Sequence, residues 1–191
     1  MKRLILFFFI GAFVVTSTVA SAIEKASLGN GNFAVKTDYI AFTNGYFDRG
    51  DNQDDGLYLG LEGYGKITPN LYLGGEIGTG FNEEIAGEEI TFIPCELNVK
   101  YATEAARNLV VDVGAGLSYS SVELQYSAFL GSAQESRRDW LFGGQVFADL
   151  TYKIHLFTIG VNGKYQITDN FKDEGIDLSN FRLGVQMGMA F

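Results

Sequence analysis

The last eleven residues of the chain, Phe181 to Phe191, alternate strictly between two kinds of side chain. Phe, Leu, Val or Met occupies each odd-numbered position of this stretch, whereas Arg, Gly, Gln or Ala occupies each even-numbered one. Successive side chains of a β-strand point to opposite faces, so the pattern predicts a strand with one apolar face and one small or polar face.

Seven more segments with the same period-two pattern precede this one. The eight predicted strands span 33–43, 56–68, 71–81, 90–101, 108–121, 139–153, 155–167 and 180–191. Short connections near 68–70, 102–107 and 153–155 alternate with longer polar ones at 44–55, 82–89, 122–138 and 168–179. The 24 glycines and only 2 prolines fit strands joined by turns better than helices. An even number of strands places both ends of the folded chain on the side of the short turns.

The first 22 residues have the features of an export signal. Lys2 and Arg3 supply positive charge, the stretch 4–15 is nearly all apolar, and Ala20-Ser21-Ala22 gives a small-x-small cleavage pattern. The apolar run is shorter than the roughly 20 residues that a membrane-spanning helix needs. We therefore expect a cleaved signal peptide at 1–22 and one β-barrel domain at 23–191.

Alternation alone leaves two kinds of barrel open. A soluble lipocalin-like barrel turns its apolar face inward around a ligand, whereas a membrane barrel turns it outward to lipid. The face opposite the apolar one is rich in glycine, which suits a narrow interior and would make a poor water-facing exterior. The sequence therefore predicts that the apolar face meets lipid and that the sheet closes, because a bilayer offers no water to unpaired backbone groups. Cys95, the one cysteine, shares the parity of the apolar face and is interpreted as a small hydrophobe.

Charged residues on the predicted inner face are nearly balanced in sign, with five basic and six acidic side chains. Because isolated charges in a dry interior are costly and paired ones are tolerable, we expect an ion-pair network in the lumen. An eight-stranded barrel has room for side chains but not for an open channel. A proton or ion path through the same groups is the alternative interpretation. The predicted network consists of Lys36, Asp38, Glu62, Lys66, Glu76, Glu96, Lys100, Asp112, Asp149, Lys164 and Arg182.

Aromatic residues lie near the ends of the predicted strands, as expected for two girdles at the lipid–water boundaries. Strand propensity alone also favours aromatic residues. Those towards the short turns are Tyr101, Tyr152, Phe157 and Phe191, and those towards the long connections are Phe42, Phe81, Tyr119, Trp140 and Tyr165.

A terminal strand with this alternation and a final Phe resembles the closing strand of bacterial outer-membrane β-barrels, which the barrel-insertion machinery recognises. The residues that carry this resemblance are Phe181, Leu183, Val185, Met187, Met189 and Phe191. Among such barrels the chain resembles the small ones: the OmpA transmembrane domain, OmpX and Ail.

The resemblance implies an all-β, eight-stranded antiparallel up-and-down transmembrane barrel in the outer membrane of a Gram-negative bacterium, with periplasmic termini. It implies contact with outer-membrane lipid and lipopolysaccharide, and a role in envelope structure or surface interaction. An adhesin or resistance factor of the Ail type, whose loops bind a host surface, is an alternative.

The whole chain carries a net charge of −9, and acidic residues concentrate in the four long connections. This sign disfavours nucleic acid and other anionic partners. Loop carboxylates also suit Ca²⁺ or Mg²⁺, and Asp51, Asp54 and Asp55 form the candidate metal site. The same stretch is one substitution from an EF-hand pattern ending at Glu62, but a strand follows it where an exit helix is required. Arg49-Gly50-Asp51 matches integrin-binding tripeptides by only three residues.

The sequence favours a non-enzymatic protein without a cofactor. Lipid A-modifying barrel enzymes need a histidine beside a serine or an acidic partner, and this chain has one histidine. His155 falls at a predicted short turn, a strand's length from Ser118 and Ser120, so a nucleophile and its base could not meet. A lipid A-modifying enzyme is therefore the weaker alternative.

Overall fold

The computed structural model describes residues 27–43, 55–82, 88–126, 135–171 and 176–191. The predicted signal peptide at 1–22 lies outside these residues. The described part of the chain contains no helix of the length and hydrophobicity that a spanning helix needs.

Eight antiparallel strands close into a barrel in which each strand pairs with its sequence neighbours and the first pairs with the last. The barrel strands are β1 (Gly31–Phe42), β2 (Asp55–Thr68), β3 (Leu71–Asn82), β4 (Glu88–Ala106), β5 (Leu109–Tyr126), β6 (Glu135–Ile154), β7 (Phe157–Thr168) and β10 (Asn180–Ala190). Two short strands, β8 (Asn170–Phe171) and β9 (Ile176–Asp177), pair with each other between β7 and β10. The predicted up-and-down barrel of eight strands is confirmed.

Three adjacent strands are longer than the sequence predicted. β4, β5 and β6 have 19, 18 and 20 residues, and the ladder between β5 and β6 continues to the pair Tyr126 and Glu135. The predicted connection at 122–138 was therefore too long. Alternation between apolar and polar residues ends where a strand no longer faces lipid on one side, so the pattern cannot show how far the hydrogen-bonded ladder continues.

Short turns join β2 to β3, β4 to β5 and β6 to β7 at one end of the barrel, which also holds the first and last described residues, Ser27 and Phe191. We call this the terminal end, and the opposite end the loop end. Asn108 and His155 have positive φ angles of 66° and 60° in the two-residue turns 107–108 and 155–156. The backbone N–H of Lys153 donates to the carbonyl of Asn108 (2.8 Å), which holds these two turns together.

The outer surface of the barrel is apolar. The odd-numbered residues of β10 and the following Phe191 are all exposed, from Phe181 at 40% to Phe191 at 66%. The predicted sidedness is therefore confirmed, and Cys95 also lies on this outer face. Towards the loop end the rings of Tyr119 and Trp140 stack with their centroids 4.9 Å apart. Both rings are about half exposed, as amphipathic rings at a lipid–water boundary would be.

Two apolar clusters of buried side chains close the barrel at its two ends. The loop-end cluster consists of Ile40, Phe42, Tyr58, Phe92, Val122, Leu141 and Leu178. The terminal-end cluster consists of Leu28, Tyr64, Tyr72, Ala102, Val110 and Phe147. The prediction that Phe42 belongs to an outer aromatic girdle was wrong, because Phe42 shares the inward parity of Ile40 and packs edge-to-face on Phe92.

Backbone segments outside the barrel strands hold one residue of each cluster in place. At the terminal end Leu28 is buried, and its N–H donates to the hydroxyl of Tyr72 (3.1 Å). Lys153 Nζ donates to the carbonyl of Ser27 (2.6 Å). At the loop end Leu178 is buried and its N–H donates to Thr168 Oγ1 (2.9 Å).

Glycines on the inner face make room for the buried aromatic rings. A Cβ atom at Gly78 would collide with the ring of Tyr58 on β2, and one at Gly114 would collide with Phe147 on β6. The glycine-rich inner face seen in the sequence is thus the complement of a few large rings from neighbouring strands.

Candidate functional site: the charged lumen

Between the two apolar clusters lies a layer of charged side chains. The structure places ten of the eleven predicted lumen residues inside the barrel, each at most 4% exposed. These ten are Lys36, Asp38, Glu62, Glu76, Glu96, Lys100, Asp112, Asp149, Lys164 and Arg182. They comprise six carboxylates and four basic groups, so the interior is less balanced than the sequence suggested.

Lys66 is the exception, and its predicted place in the network was wrong. The pairing of β2 with β3 shifts between Lys66 and Thr68 at the terminal end, and Lys66 is exposed there. The shift follows Lys66, which still pairs with the buried Tyr72, so its parity is that of the inner face. Lys66 is exposed because it lies near the end of β2, and alternation along a strand does not show where the enclosed lumen ends.

Four of the buried groups form a balanced set that we call the paired cluster, made of Glu76, Glu96, Lys164 and Arg182. Lys164 Nζ lies 2.7 Å from Glu76 Oε2 and 2.5 Å from Glu96 Oε2. Arg182 Nη2 lies 2.5 Å from Glu96 Oε1, and Nη1 lies 3.3 Å from Glu76 Oε1. All four carboxylate oxygens accept hydrogen bonds, as buried charges require.

Neutral side chains complete the paired cluster on the side of the loop-end apolar cluster. The hydroxyl of Tyr58 donates to Glu76 Oε1 (2.8 Å), and the Tyr58 ring lies 4.3 Å from the Arg182 guanidinium. Arg182 also donates to Gln166 Oε1 (2.9 Å), and Gln166 donates to Ser118 Oγ (2.8 Å). The planar guanidinium is thus fixed by both charge and stacking.

The other six groups form what we call the acidic cluster, nearer the terminal end. Its members are Lys36, Asp38, Glu62, Lys100, Asp112 and Asp149. Lys36 Nζ lies 2.8 Å from Glu62 Oε2 but 3.7 Å from Asp149 Oδ2. Lys100 Nζ lies 3.6 Å from Glu62 Oε1 and 3.9 Å from Asp112 Oδ1. Its ammonium group sits 3.9 Å from the centroid of the Tyr64 ring in the terminal-end cluster.

Lys36 connects the two clusters, since its Nζ also lies 3.4 Å from Glu76 Oε2. The charged layer is therefore one continuous network across the lumen. The two apolar clusters lie above and below it, so the described charged layer is enclosed between them. This arrangement stabilises a closed barrel and offers no open aqueous path.

The other residues considered in the sequence are the histidine and serine candidates for catalysis and the aspartates of the candidate metal site. His155 is exposed in a turn at the terminal end, whereas Ser120 is buried and pairs across the sheet with Leu141 of the loop-end cluster. Asp55 begins β2 and accepts a hydrogen bond from the hydroxyl of Tyr39 (2.6 Å). Asp51 and Asp54 lie outside the described residues, so the candidate metal site on this loop stays a prediction.

The tyrosines that border the charged layer were missed in the sequence. Tyr58, Tyr64 and Tyr72 occupy the same inward-facing, even-numbered positions as Glu62 and Glu76. The alternation along β2 and β3 could therefore have predicted that these three rings are buried. The parts played by Leu28 and Leu178 had no such signal, since neither residue belongs to a strand.

No protein-family model and no curated protein matches this sequence. Solved structures do match. Neisserial surface protein A superposes with a TM-score of 0.69 at 10% identity, over 85% of this chain and 98% of that one. Ail, the attachment invasion locus protein of Yersinia pestis, superposes with a TM-score of 0.55 at 13% identity, over 85% of this chain and 99% of that one. OprG of Pseudomonas aeruginosa superposes with a TM-score of 0.52 at 12% identity, over 89% of this chain and 99% of that one.

The fold is that of the small outer-membrane β-barrels. At such low identity the likeness concerns the fold alone. Ail has also been solved in complex with the heparin analogue sucrose octasulfate, with a TM-score of 0.53 to this chain.

Proposed function

We propose that this protein is a non-enzymatic integral barrel of a Gram-negative outer membrane that acts in envelope structure or surface interaction. The observation that carries the proposal is the combination of an apolar exterior with a sealed, charged interior. A bilayer accepts such a surface because each of the eight barrel strands is paired on both sides, so the barrel itself has no free edge. The terminal end would face the periplasm and the loop end the cell exterior.

The sealed interior supports a structural role over transport or catalysis. A conducting pore needs a continuous polar path, and Leu28 and Leu178 close the described lumen at both ends. Contacts with other molecules would therefore involve lipid on the outer wall and partners at the loops. The outer loops would lie among lipopolysaccharide phosphates, where divalent cations at Asp51, Asp54 and Asp55 would bridge carboxylate to phosphate.

Binding of a host surface is a second candidate function, favoured by the similarity to Ail. The acidic loops of this chain make a polyanion a poor partner, because like charges repel. A host partner would therefore need a basic or neutral surface.

Cell fractionation combined with gel migration tests the membrane assignment. We expect the full chain in the outer-membrane fraction, and an unboiled sample should migrate differently from a boiled one because small closed barrels resist unfolding in detergent. Planar bilayers containing the protein should show no steady conductance. Recovery from the soluble periplasmic fraction would contradict the proposal.

Loop exchange tests the host-surface candidate separately. A chimera with the four long connections replaced by short turns should still insert into the membrane. Loss of adhesion to cultured cells in that chimera would support the second candidate, and equal adhesion would rule it out.

A further inference from the structure

The shortage of positive charge in the lumen is confined to one region. In the paired cluster two carboxylates face two basic groups, whereas in the acidic cluster four carboxylates face only Lys36 and Lys100. With all ten groups ionised, the described lumen therefore has a formal excess of two negative charges, all of it in the acidic cluster. Uncompensated buried charge is strongly destabilising, so the excess has to be removed, either by protonation or by a bound positive group.

The excess centres on Asp112 and Asp149. These two residues lie directly opposite each other on β5 and β6, and they are 1% and 3% exposed. The nearest ammonium groups are 3.9 Å and 3.7 Å away, compared with 2.5–2.7 Å for the closest pairs in the paired cluster. Like charges directly opposite in a sheet repel each other, and these lysines are too distant to donate hydrogen bonds.

An amide oxygen adds a fifth unpaired acceptor at the same place. No ammonium, guanidinium, amide or hydroxyl group of the described residues donates a hydrogen bond to the four carboxylate oxygens of Asp112 and Asp149. Asn162, 3% exposed, lies directly opposite Asp149 on the next strand, β7. Its Nδ2 donates to Asp38 Oδ1 (2.9 Å), so its Oδ1, which has no partner, faces the Asp149 side.

We propose that Asp112, Asp149 and Asn162 form a binding site for one divalent alkaline-earth cation, Ca²⁺ or Mg²⁺. A single proton shared between the two aspartates would serve only two of the five unpaired oxygens, whereas a cation attracts all of them. A charge of +2 also matches the excess in the lumen. Both ions prefer carboxylate and amide oxygens.

The donor set is small for a closed metal cage. The described residues contain no group of three or more His, Cys, Asp or Glu side chains arranged around one ion. The ion would therefore keep several water molecules, as Mg²⁺ commonly does. Because apolar clusters seal both ends of the lumen, the ion would enter during folding and leave slowly afterwards.

Refolding in defined ions tests the proposal. The full mature chain is refolded from urea into detergent with Ca²⁺, with Mg²⁺, or with Na⁺ and EDTA, and is then desalted. We expect elemental analysis to find about one retained divalent ion per chain, and a higher temperature for the heat-dependent gel shift after refolding with that ion. Whichever of Ca²⁺ and Mg²⁺ is retained identifies the ligand.

Matched variants locate the ion. The double variant Asp112→Asn and Asp149→Asn keeps the side-chain shapes and should lose the retained ion and the ion-dependent shift. If it fails to fold, Asn162→Ala keeps both carboxylates and should release the ion to EDTA faster than wild type. The control Asp51→Asn, Asp54→Asn and Asp55→Asn removes the loop carboxylates and should keep the ion.

Two results would overturn the proposal. One is wild-type protein that retains no divalent ion, with a gel shift that depends on pH alone, which would indicate a shared proton. The other is an ion that stays bound in the lumen double variant but disappears in the loop variant.

Discussion

The paired and acidic clusters occupy the same barrel, are equally buried and share the bridging residue Lys36, yet they differ in how completely their charges are satisfied. Each carboxylate oxygen of the paired cluster accepts a hydrogen bond, from Lys164, Arg182, Tyr58 or Asn98. In the acidic cluster Asp112 and Asp149 accept none from a basic, amide or hydroxyl group. Two equally buried sets of charges can therefore have different roles in the same barrel. The paired cluster stabilises the closed barrel, and the acidic cluster is poised to take up positive charge.

Removal of Arg182 should have the largest effect. Arg182→Met leaves Glu96 and Glu76 short of a partner in a buried site, which we expect to destabilise the barrel by about 3–5 kcal/mol. Urea unfolding in lipid vesicles, followed by Trp fluorescence, measures the change. In EDTA, where no divalent ion is bound, Asp149→Asn in the acidic cluster removes surplus negative charge and should cost far less.

The exposed ion pair between Arg138 and Glu123 supplies the control, because Arg138 Nη2 is 2.6 Å from Glu123 Oε2 with the Arg side chain 64% exposed. Arg138→Gln should change stability by about 0–1 kcal/mol. Equal effects of Arg182→Met and Asp149→Asn would contradict the distinction between the two clusters.

Two tyrosine variants should show a smaller difference in stability between the two clusters. Tyr58→Phe deletes a hydroxyl that donates to Glu76, so we expect a loss of about 1.5–3 kcal/mol. Tyr64→Phe deletes a buried hydroxyl that has no hydrogen-bond partner, and should be neutral or slightly stabilising. Both variants can be compared by the same unfolding measurement, and a Tyr64→Phe loss as large as that of Tyr58→Phe would count against the contrast.

Glycine substitutions extend the comparison from the charges to the space around them. A Cβ at Gly78 would lie 2.5 Å from the carbonyl oxygen of Leu59 and against the Tyr58 ring, so Gly78→Ala should destabilise by about 1–3 kcal/mol. Gly63 lies on the outer face with nothing within 4 Å of a built Cβ. Gly63→Ala should therefore leave the gel-shift temperature almost unchanged, and similar losses in both variants would show that inner crowding is not the cause.

Much of the fold could be predicted from the sequence because a strand has a fixed period of two. One parity correctly placed the Phe, Leu, Val and Met side chains of β10 on the outside, and the other parity placed ten charged groups inside. Lys66 has the inner parity but is exposed, because it lies near the end of β2 and the period of two does not show where the enclosed lumen ends.

The division into two clusters could not be predicted. It depends on which residues meet across the barrel, such as Lys164 of β7 with Glu76 of β3 and Glu96 of β4, and pattern along one strand carries no information about its distant partners. The apolar seals were missed for a related reason. Leu28 and Leu178 lie outside the strands, where side-chain direction follows from tertiary contacts rather than from periodicity.

The fluorescence of Trp140 can measure how deeply the barrel is inserted in its bilayer. It is the one tryptophan of the chain, and it is 52% exposed on the outer wall towards the loop end. Its intrinsic emission therefore comes from a single depth, without any label. Quenchers placed at successive carbon positions of one leaflet would report that depth and the leaflet in which it lies.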